Sequence, residues 1–468
     1  MRNDELSPKS ENRTQFSRAM PFVIRASSFI RHSPFWFRHS AASLTFILTT
    51  VVAAAAPVHV DLPTVMMLAG ANNDEIQLAK TKHTEVLAES KLAWQRFWPS
   101  LTLGAGYRRT DGNVQDIAGA VFDVSKQQYT VGPNLMIDWS PGDMYYAALA
   151  AKQRALAAEQ LAEKTRRDIV MQATGRYYDL LAAEASLAII EDDLRLTQDY
   201  EKQIGGAVDA GTAFRADLLR VKTQVSREKL AIRQHQEKRD LAAAALAETL
   251  RLPADSALRP AKADLVPVRL LDRKLGVATL LSQATQHRPE MKAAGAVNQA
   301  AVLEKDRARV APMIPNVQAG YGFGGLGGGY NADFGNFDDT QNMYIGLGWK
   351  IGPGGLFDKQ RQIIAGAQEE ATKLQAGQIK AAIGREVVEA AAKAQSAHDQ
   401  ISINDEAVNA AQEMVKLAKE RQASQLGVVL EYLLAREELT RARQSRVQAV
   451  TSFNKAQHEL KRAVGKQQ

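Results

Sequence analysis

Two stretches of this chain, far apart in sequence, follow one plan. Pro99-Ser-Leu-Thr-Leu-Gly-Ala-Gly-Tyr107 and Pro315-Asn-Val-Gln-Ala-Gly-Tyr-Gly-Phe323 each set an apolar residue at every second position after a proline. A long run rich in alanine, leucine and charge follows each of them. The two prolines lie 216 residues apart, as do Gly211 and Gly427 further on. A duplicated unit of strands plus long helix is an uncommon plan, and it overrides the two to four unrelated domains that 468 residues would otherwise suggest.

The periodicity assigns elements to each half. Residues 62–97 read as helix and end at Trp98-Pro99, since the residue before a proline is biased away from helix. Leu101–Tyr107 reads as strand, 108–127 as a polar loop, and Tyr129–Trp139 as a second alternating run closed by Pro141-Gly142. Residues 143–204 contain no proline and favour helix, giving a rod of roughly 90 Å. Gly205-Gly206 and Gly211 mark a turn, and a helix over 213–251 stops before Pro253. Residues 253–273 form a linker with several prolines. The second half repeats the order: helix 274–310 with Pro289 inside it, strand Val317–Phe323, a Gly-rich loop, strand Tyr344–Ile351, helix 355–423, a turn at Gly427 and helix 429–464. The organisation expected is therefore 1–56 leader and extension, 57–252 first repeat, 253–273 linker, and 274–468 second repeat.

The leader reading rests on Arg31, His32, Arg38 and His39 preceding the apolar run Ala41–Ala56, with small residues at Ala54–Ala56. That run has the length of a secretory signal core and falls short of the ~20 residues that span a bilayer as a helix. The alternative is an uncleaved anchor. Cysteine is absent, which excludes disulfides, thiolate metal sites and thiol nucleophiles. The net charge of +7 is partly carried by residues 1–56, and the remainder is too weak and dispersed for nucleic acid.

Four strands cannot close a barrel and would leave exposed edges. Three copies supply twelve, within the range of membrane barrels. Tyr107, Tyr129, Trp139, Tyr321, Tyr344 and Trp349 stand at or near strand ends, as girdle aromatics do, although isolated aromatics also suit core packing. Gly320-Tyr-Gly-Phe-Gly-Gly325 fits a dinucleotide fingerprint in letters only, because it opens no helix in a βαβ unit. The histidines lack metal-ligand spacing and no nucleophile–base set is evident, so no cofactor and no enzymatic activity are expected.

The order of these segments resembles the TolC-type outer membrane efflux protein family over about 62–464. Leu62-Pro-Thr-Val-Met-Met-Leu-Ala-Gly-Ala-Asn-Asn73 is similar to its first helix, and Arg288-Pro289-Glu290 is a typical feature of its second repeat. Arg176-Tyr-Tyr-Asp-Leu-Leu-Ala-Ala183 resembles its long helix. Ala210-Gly-Thr-Ala-Phe-Arg-Ala-Asp-Leu-Leu219 and Leu426-Gly-Val-Val-Leu-Glu-Tyr-Leu-Leu-Ala435 resemble its two helical tips.

The resemblance implies a mainly α fold with a β part: long helical hairpins form a periplasmic α-barrel, and each protomer of a homotrimer gives four strands to a twelve-stranded barrel in outer membrane lipid. It implies an exit duct for a tripartite pump or type I secretion system. A periplasmic adaptor would dock at Gly211, Thr212, Ala213, Gly427, Val428 and Val429, and a proton-driven or ABC transporter of the inner membrane would supply energy. Asp217 matches an aspartate that helps to hold the tips closed. Alignment on Gly427 puts Leu433 or Arg436 at the acidic positions, whereas a slip of two puts Glu431 there. Asp217, Glu431 and Arg436 are thus the gate or pore-lining candidates. A competing reading is a periplasmic coiled-coil adaptor or scaffold, which also carries long hairpins but usually one, between β-rich modules.

Overall fold

The computed structural model describes residues 58–253, 255–262, 264–271, 275–330, 337–424 and 427–466. The expected leader Ala41–Ala56 lies outside them. The chain runs β1 (Val58–Val60), α1 (Leu62–Asn72), α2 (Asp74–Gln95), β2 (Ser100–Gln115), β3 (Val121–Trp139), α3 (Pro141–Asp209), α4 (Arg215–Leu250) and β4 (Leu258–Pro260). It continues with α5 (Val277–His287), α6 (Pro289–Val310), β5 (Asn316–Tyr330), β6 (Phe337–Gly348), α7 (Lys359–Ala423) and α8 (Val429–Ala463). Two helices, two strands, a long helix and its return helix thus occur twice.

α3 has 69 residues and α7 has 65, so each is a rod of roughly 100 Å. Rods of this length find partners in shifts. α3 meets α2 and α6 near its start, where Arg307 donates to Asp143 at 2.6 and 2.8 Å and Trp94 packs edge-on to Tyr145. Further on it meets α4, around Tyr200, Ile204 and Val221. The core is a ladder of small and branched residues rather than a thick centre. Val65, Ala69, Ile76, Ala173, Leu180, Leu246 and Leu250 form one cluster, and Leu280, Ala284, Ile383, Val387, Ala394, Ala456 and Leu460 form its counterpart. Alanine at these places lets helices approach closely.

Both single helices expected before the strands are broken. α1 gives way to α2 at Asn73, whose Oδ1 caps Glu75 N at 2.9 Å while its Nδ2 donates to Thr249 O at 3.1 Å. α5 gives way to α6 at Arg288, held extended by Pro289. Arg288 is nevertheless buried, because Glu290 and Glu386 surround its guanidinium. Gly205-Gly206 do not form a turn either; they lie inside α3, and the chain reverses only at Gly211.

The strands are longer than their apolar alternation. Most of 108–127 is paired strand, and only 116–120 connect β2 to β3. Asp111 stands opposite Ser125, accepts its hydroxyl at 2.8 Å and accepts Arg109 Nε at 2.6 Å. Polar cross-strand contacts of this kind hold the backbone paired without a regular apolar alternation. The Gly-rich stretch after Phe323 is also strand to Tyr330. A Cβ at Gly325 would lie 1.9 Å from the Phe337 ring, so any side chain there must displace that ring.

The four strands form one antiparallel sheet ordered β2-β3-β5-β6. The linker is not featureless: β4 pairs in parallel with β1, Val58 opposite Leu258. Its later part is pinned to α8. Asn454 accepts from Val268 N at 2.7 Å and donates to Val266 O at 2.9 Å, and Gln457 accepts from Leu270 N and Leu271 N.

Candidate functional site: the sheet faces and the helical tips

Register decides what each sheet face presents. Odd-numbered residues share one face: Leu101, Leu103 and Tyr107 on β2, Val131, Leu135 and Trp139 on β3, Tyr321 and Phe323 on β5, and Met343, Ile345 and Leu347 on β6. Most of these are exposed, with Leu103 at 75% and Leu347 at 69%. The even face is mostly glycine or polar, with Thr102, Gly104, Gly106, Thr130, Asn134, Gln318, Gly320, Asn342 and Thr340, interrupted by Met136, Leu326 and Tyr344. A contiguous apolar surface of this extent on one side of a sheet marks contact with lipid or a partner.

Tyr107 faces Tyr129 across β2 and β3, ring centroids 5.2 Å apart, at one end of the apolar face. Trp139 stands at the other end, and Trp349 follows β6 there, donating Nε1 to Met313 O at 3.1 Å. The Trp139 and Tyr129 rows are 10 residues apart, ~33 Å along a strand, or roughly 25 Å once tilted as barrel strands are. Tyr321 lies on the same face between the rows. Tyr344 does not belong with them. It pairs with Gly320 on the polar face and its ring covers that glycine, so its place near a strand end misled the sequence reading.

At the opposite end of the long helices are two turns. At the first, Gly211 adopts φ +75°, and Thr212 turns its N–H and hydroxyl onto Ala207 O at 2.8 and 3.0 Å. Gly211, Thr212 and Phe214 are exposed, and Ala213 is half-buried. At the second, Gly427 N donates to Arg421 O at 3.0 Å and Val428 is exposed. Val429, grouped by sequence with the docking surface, instead turns inward against Tyr200, Ile204 and Val221.

The burial pattern offers a second way to align the tips. Asp217 lies four residues before buried Val221, and Glu431 lies four before buried Ala435. By this measure Glu431 matches Asp217, two residues out of step with the glycines. Each has its own cation: Arg220 reaches Asp217 and Arg421 reaches Glu431, both at 2.8 Å. Arg436 is not on an open surface and pairs with neither Glu431 nor Glu437. It is buried between the hairpins, where it donates to the carboxylate and carbonyl of Asp193, and Thr440 Oγ1 donates to the same carboxylate at 2.9 Å.

Sequence reasoning missed the partners in this junction. Tyr200 packs on Tyr432 with centroids 4.7 Å apart, its hydroxyl accepts Gln422 Nε2, and burial pushes its pKa up to about 12. Glu228 of α4 is buried beside Asp193 and Thr197. These groups come from α3, α4, α7 and α8, and no local spacing announces them.

The sequence profile described as "Outer membrane efflux protein" matches residues 65–250 and 280–466. Protein CyaE of Bordetella pertussis is 29% identical over 242 residues, 50% of this chain and 48% of that protein, so the match spans about half its length. Among solved structures, a membrane protein from Pseudomonas aeruginosa superposes with a TM-score of 0.73 at 21% identity, covering 86% of this chain and 93% of the other. The outer membrane protein VceC from Vibrio cholerae does so with a TM-score of 0.70 at 19% identity, covering 86% and 96%. These likenesses give the fold of long helices joined to a barrel sheet, and the profile match gives the relationship: the chain belongs to the outer membrane efflux protein family, with its sheet in the outer membrane and its helices in the periplasm.

Proposed function

We propose that three copies of this chain form a passive exit duct, serving either a tripartite efflux pump or a type I secretion system. The observation that carries this reading is the sheet, with its apolar face and its β2 and β6 outer edges unpaired among the described residues. Joining β2 of one copy to β6 of the next satisfies the edge hydrogen bonds and closes twelve strands. The apolar face then meets lipid, and the glycine-rich polar face lines a wet lumen.

The long helices carry the duct through the periplasm to the tips. An adaptor docks on the exposed surface around Gly211, Thr212, Val428 and Leu430, linking the duct to an inner membrane transporter that drives cargo. The tips gate the passage. The Arg436–Asp193 pair and the Tyr200–Tyr432 contact hold the second hairpin against the first, and adaptor contact favours a splayed arrangement.

Membrane fractionation followed by planar-bilayer recording tests this reading. The expected result is an outer membrane trimer, dissociated only by heating, that conducts ions. A monomer extracted by detergent-free buffer would overturn it. Co-purification from the same membranes then separates a proton-driven transporter from an ATPase.

A further inference from the structure

The junction of α3, α4 and α8 near the tips contains one carboxyl more than its ion pair needs. Arg436 from α8 and Thr440 from the same helix serve Asp193 of α3. Glu228 enters from α4 and is buried, and the charges acting on it are Asp193 and Arg436. Its Oε1 lies 3.0 Å from Thr197 Oγ1 and 3.0 Å from Gln224 Nε2, while its Oε2 is buried without a partner among the described residues.

A count of protons at Thr197 is informative. The Thr197 hydroxyl lies 3.0 Å from the carbonyl oxygen of Asp193 and 3.0 Å from Glu228 Oε1. Both are acceptors, and a hydroxyl has one proton to donate. The backbone carbonyl can only accept, so both contacts are hydrogen bonds when Glu228 itself donates to Thr197. A protonated Glu228 also removes the cost of an ionised oxygen buried without a partner. It leaves the single guanidinium of Arg436 to Asp193 alone.

We propose that Glu228 is a proton-binding site that latches the helical tip, closed when it holds a proton and loosened when it ionises. Ionisation puts a second desolvated carboxylate beside Asp193, with one cation between them, and the nearest relief is to part α4 and α8 from α3. Burial, and then the neighbouring Asp193, raise the Glu228 pKa above its ordinary value. A raised native pKa means that the packed junction gains stability as pH falls through it and loses that gain as pH rises. The consequence for conduction rests on the duct reading above; the proton site does not.

Two measurements on the full-length detergent-solubilised trimer test it. Infrared difference spectra of wild type against Glu228→Gln, taken across a pH titration, should show a protonated carboxylic acid whose midpoint lies above the ~4.3 of a free glutamate. Asp193→Asn should shift that midpoint down. A midpoint at or below the free value, or no such band, overturns the proposal. In planar bilayers, wild-type conductance should rise severalfold from acid to neutral pH and that of Glu228→Gln should stay near the acid level. Equal pH dependence of the two proteins would remove the latch, whereas silence of every variant would count against the duct itself.

Discussion

The guanidinium of Arg436 on α8 is buried against the carboxylate of Asp193 on α3, 243 residues earlier in the chain. It ties the second hairpin to the first. Removing one partner of a buried pair costs about 3–5 kcal/mol, because the other charge is left uncompensated. Arg436→Ala should therefore lower the thermal midpoint markedly and raise bilayer conductance. Replacing both residues, with Arg436→Met and Asp193→Leu together, should cost less than either single change. A double variant as unstable as the sum of the singles would show the two groups to be energetically independent.

The sheet makes a face-specific prediction. Ile345 lies on the apolar face, and Asn342 three residues earlier lies on the polar one. Ile345→Arg should cost about 2–4 kcal/mol of barrel stability if it meets the bilayer core. Asn342→Arg should be tolerated and alter conductance instead. Yield of heat-dissociable trimer in outer membranes separates the two outcomes.

Gly325 leaves room for the Phe337 ring across β5 and β6. Gly325→Val should reduce the folded fraction modestly, because the new side chain must displace the half-exposed Phe337 ring from the hairpin. Phe337→Ala in the same chain should restore it. Failure of that rescue would place the defect in the backbone rather than in the ring contact.

Asn454 is 1% exposed and supplies both ends of a bridge to the linker backbone. Asn454→Ala removes the side-chain partners of Val268 N–H and Val266 C=O; both residues are exposed enough for water to replace part of the loss, so the cost should be about 1 kcal/mol. Limited proteolysis should then cut within 264–271 faster than in the wild type.

His458 is buried against Tyr178, its Nδ1 lacks a partner among the described residues, and burial with Lys461 nearby lowers its pKa to about 4. A depressed histidine pKa means that the unfolded chain binds the proton first. Stability is full above about 6.5 and declines as pH falls toward 4, by up to about 3 kcal/mol. His458→Gln should flatten this part of the thermal midpoint–pH curve. An unchanged slope would assign the acid sensitivity to the carboxylates.

Much of this arrangement could be read from residue spacing. The repeat, the long proline-free helices, the apolar halves of four strands and the tip glycines are local patterns, because helix period and strand alternation are written in neighbouring residues. The wet ends of the strands were not legible, since Asp111 and Ser125 carry no alternation and are held by cross-strand pairing. Nor was the linker's attachment, which depends on two amides nearly two hundred residues away.

The sequence by itself determined that this protein would be built twice from strands and long helices, and which family it joins. Tertiary structure decided which residues meet. It moved Tyr344 to the polar face by register, gave Asp217 and Glu431 separate arginine partners, turned Val429 inward and buried Arg436 against Asp193. The physical reason is that a period fixes a direction around one element, while an ion pair or a shared face needs two elements in register. That register is set by the packing of the whole hairpin.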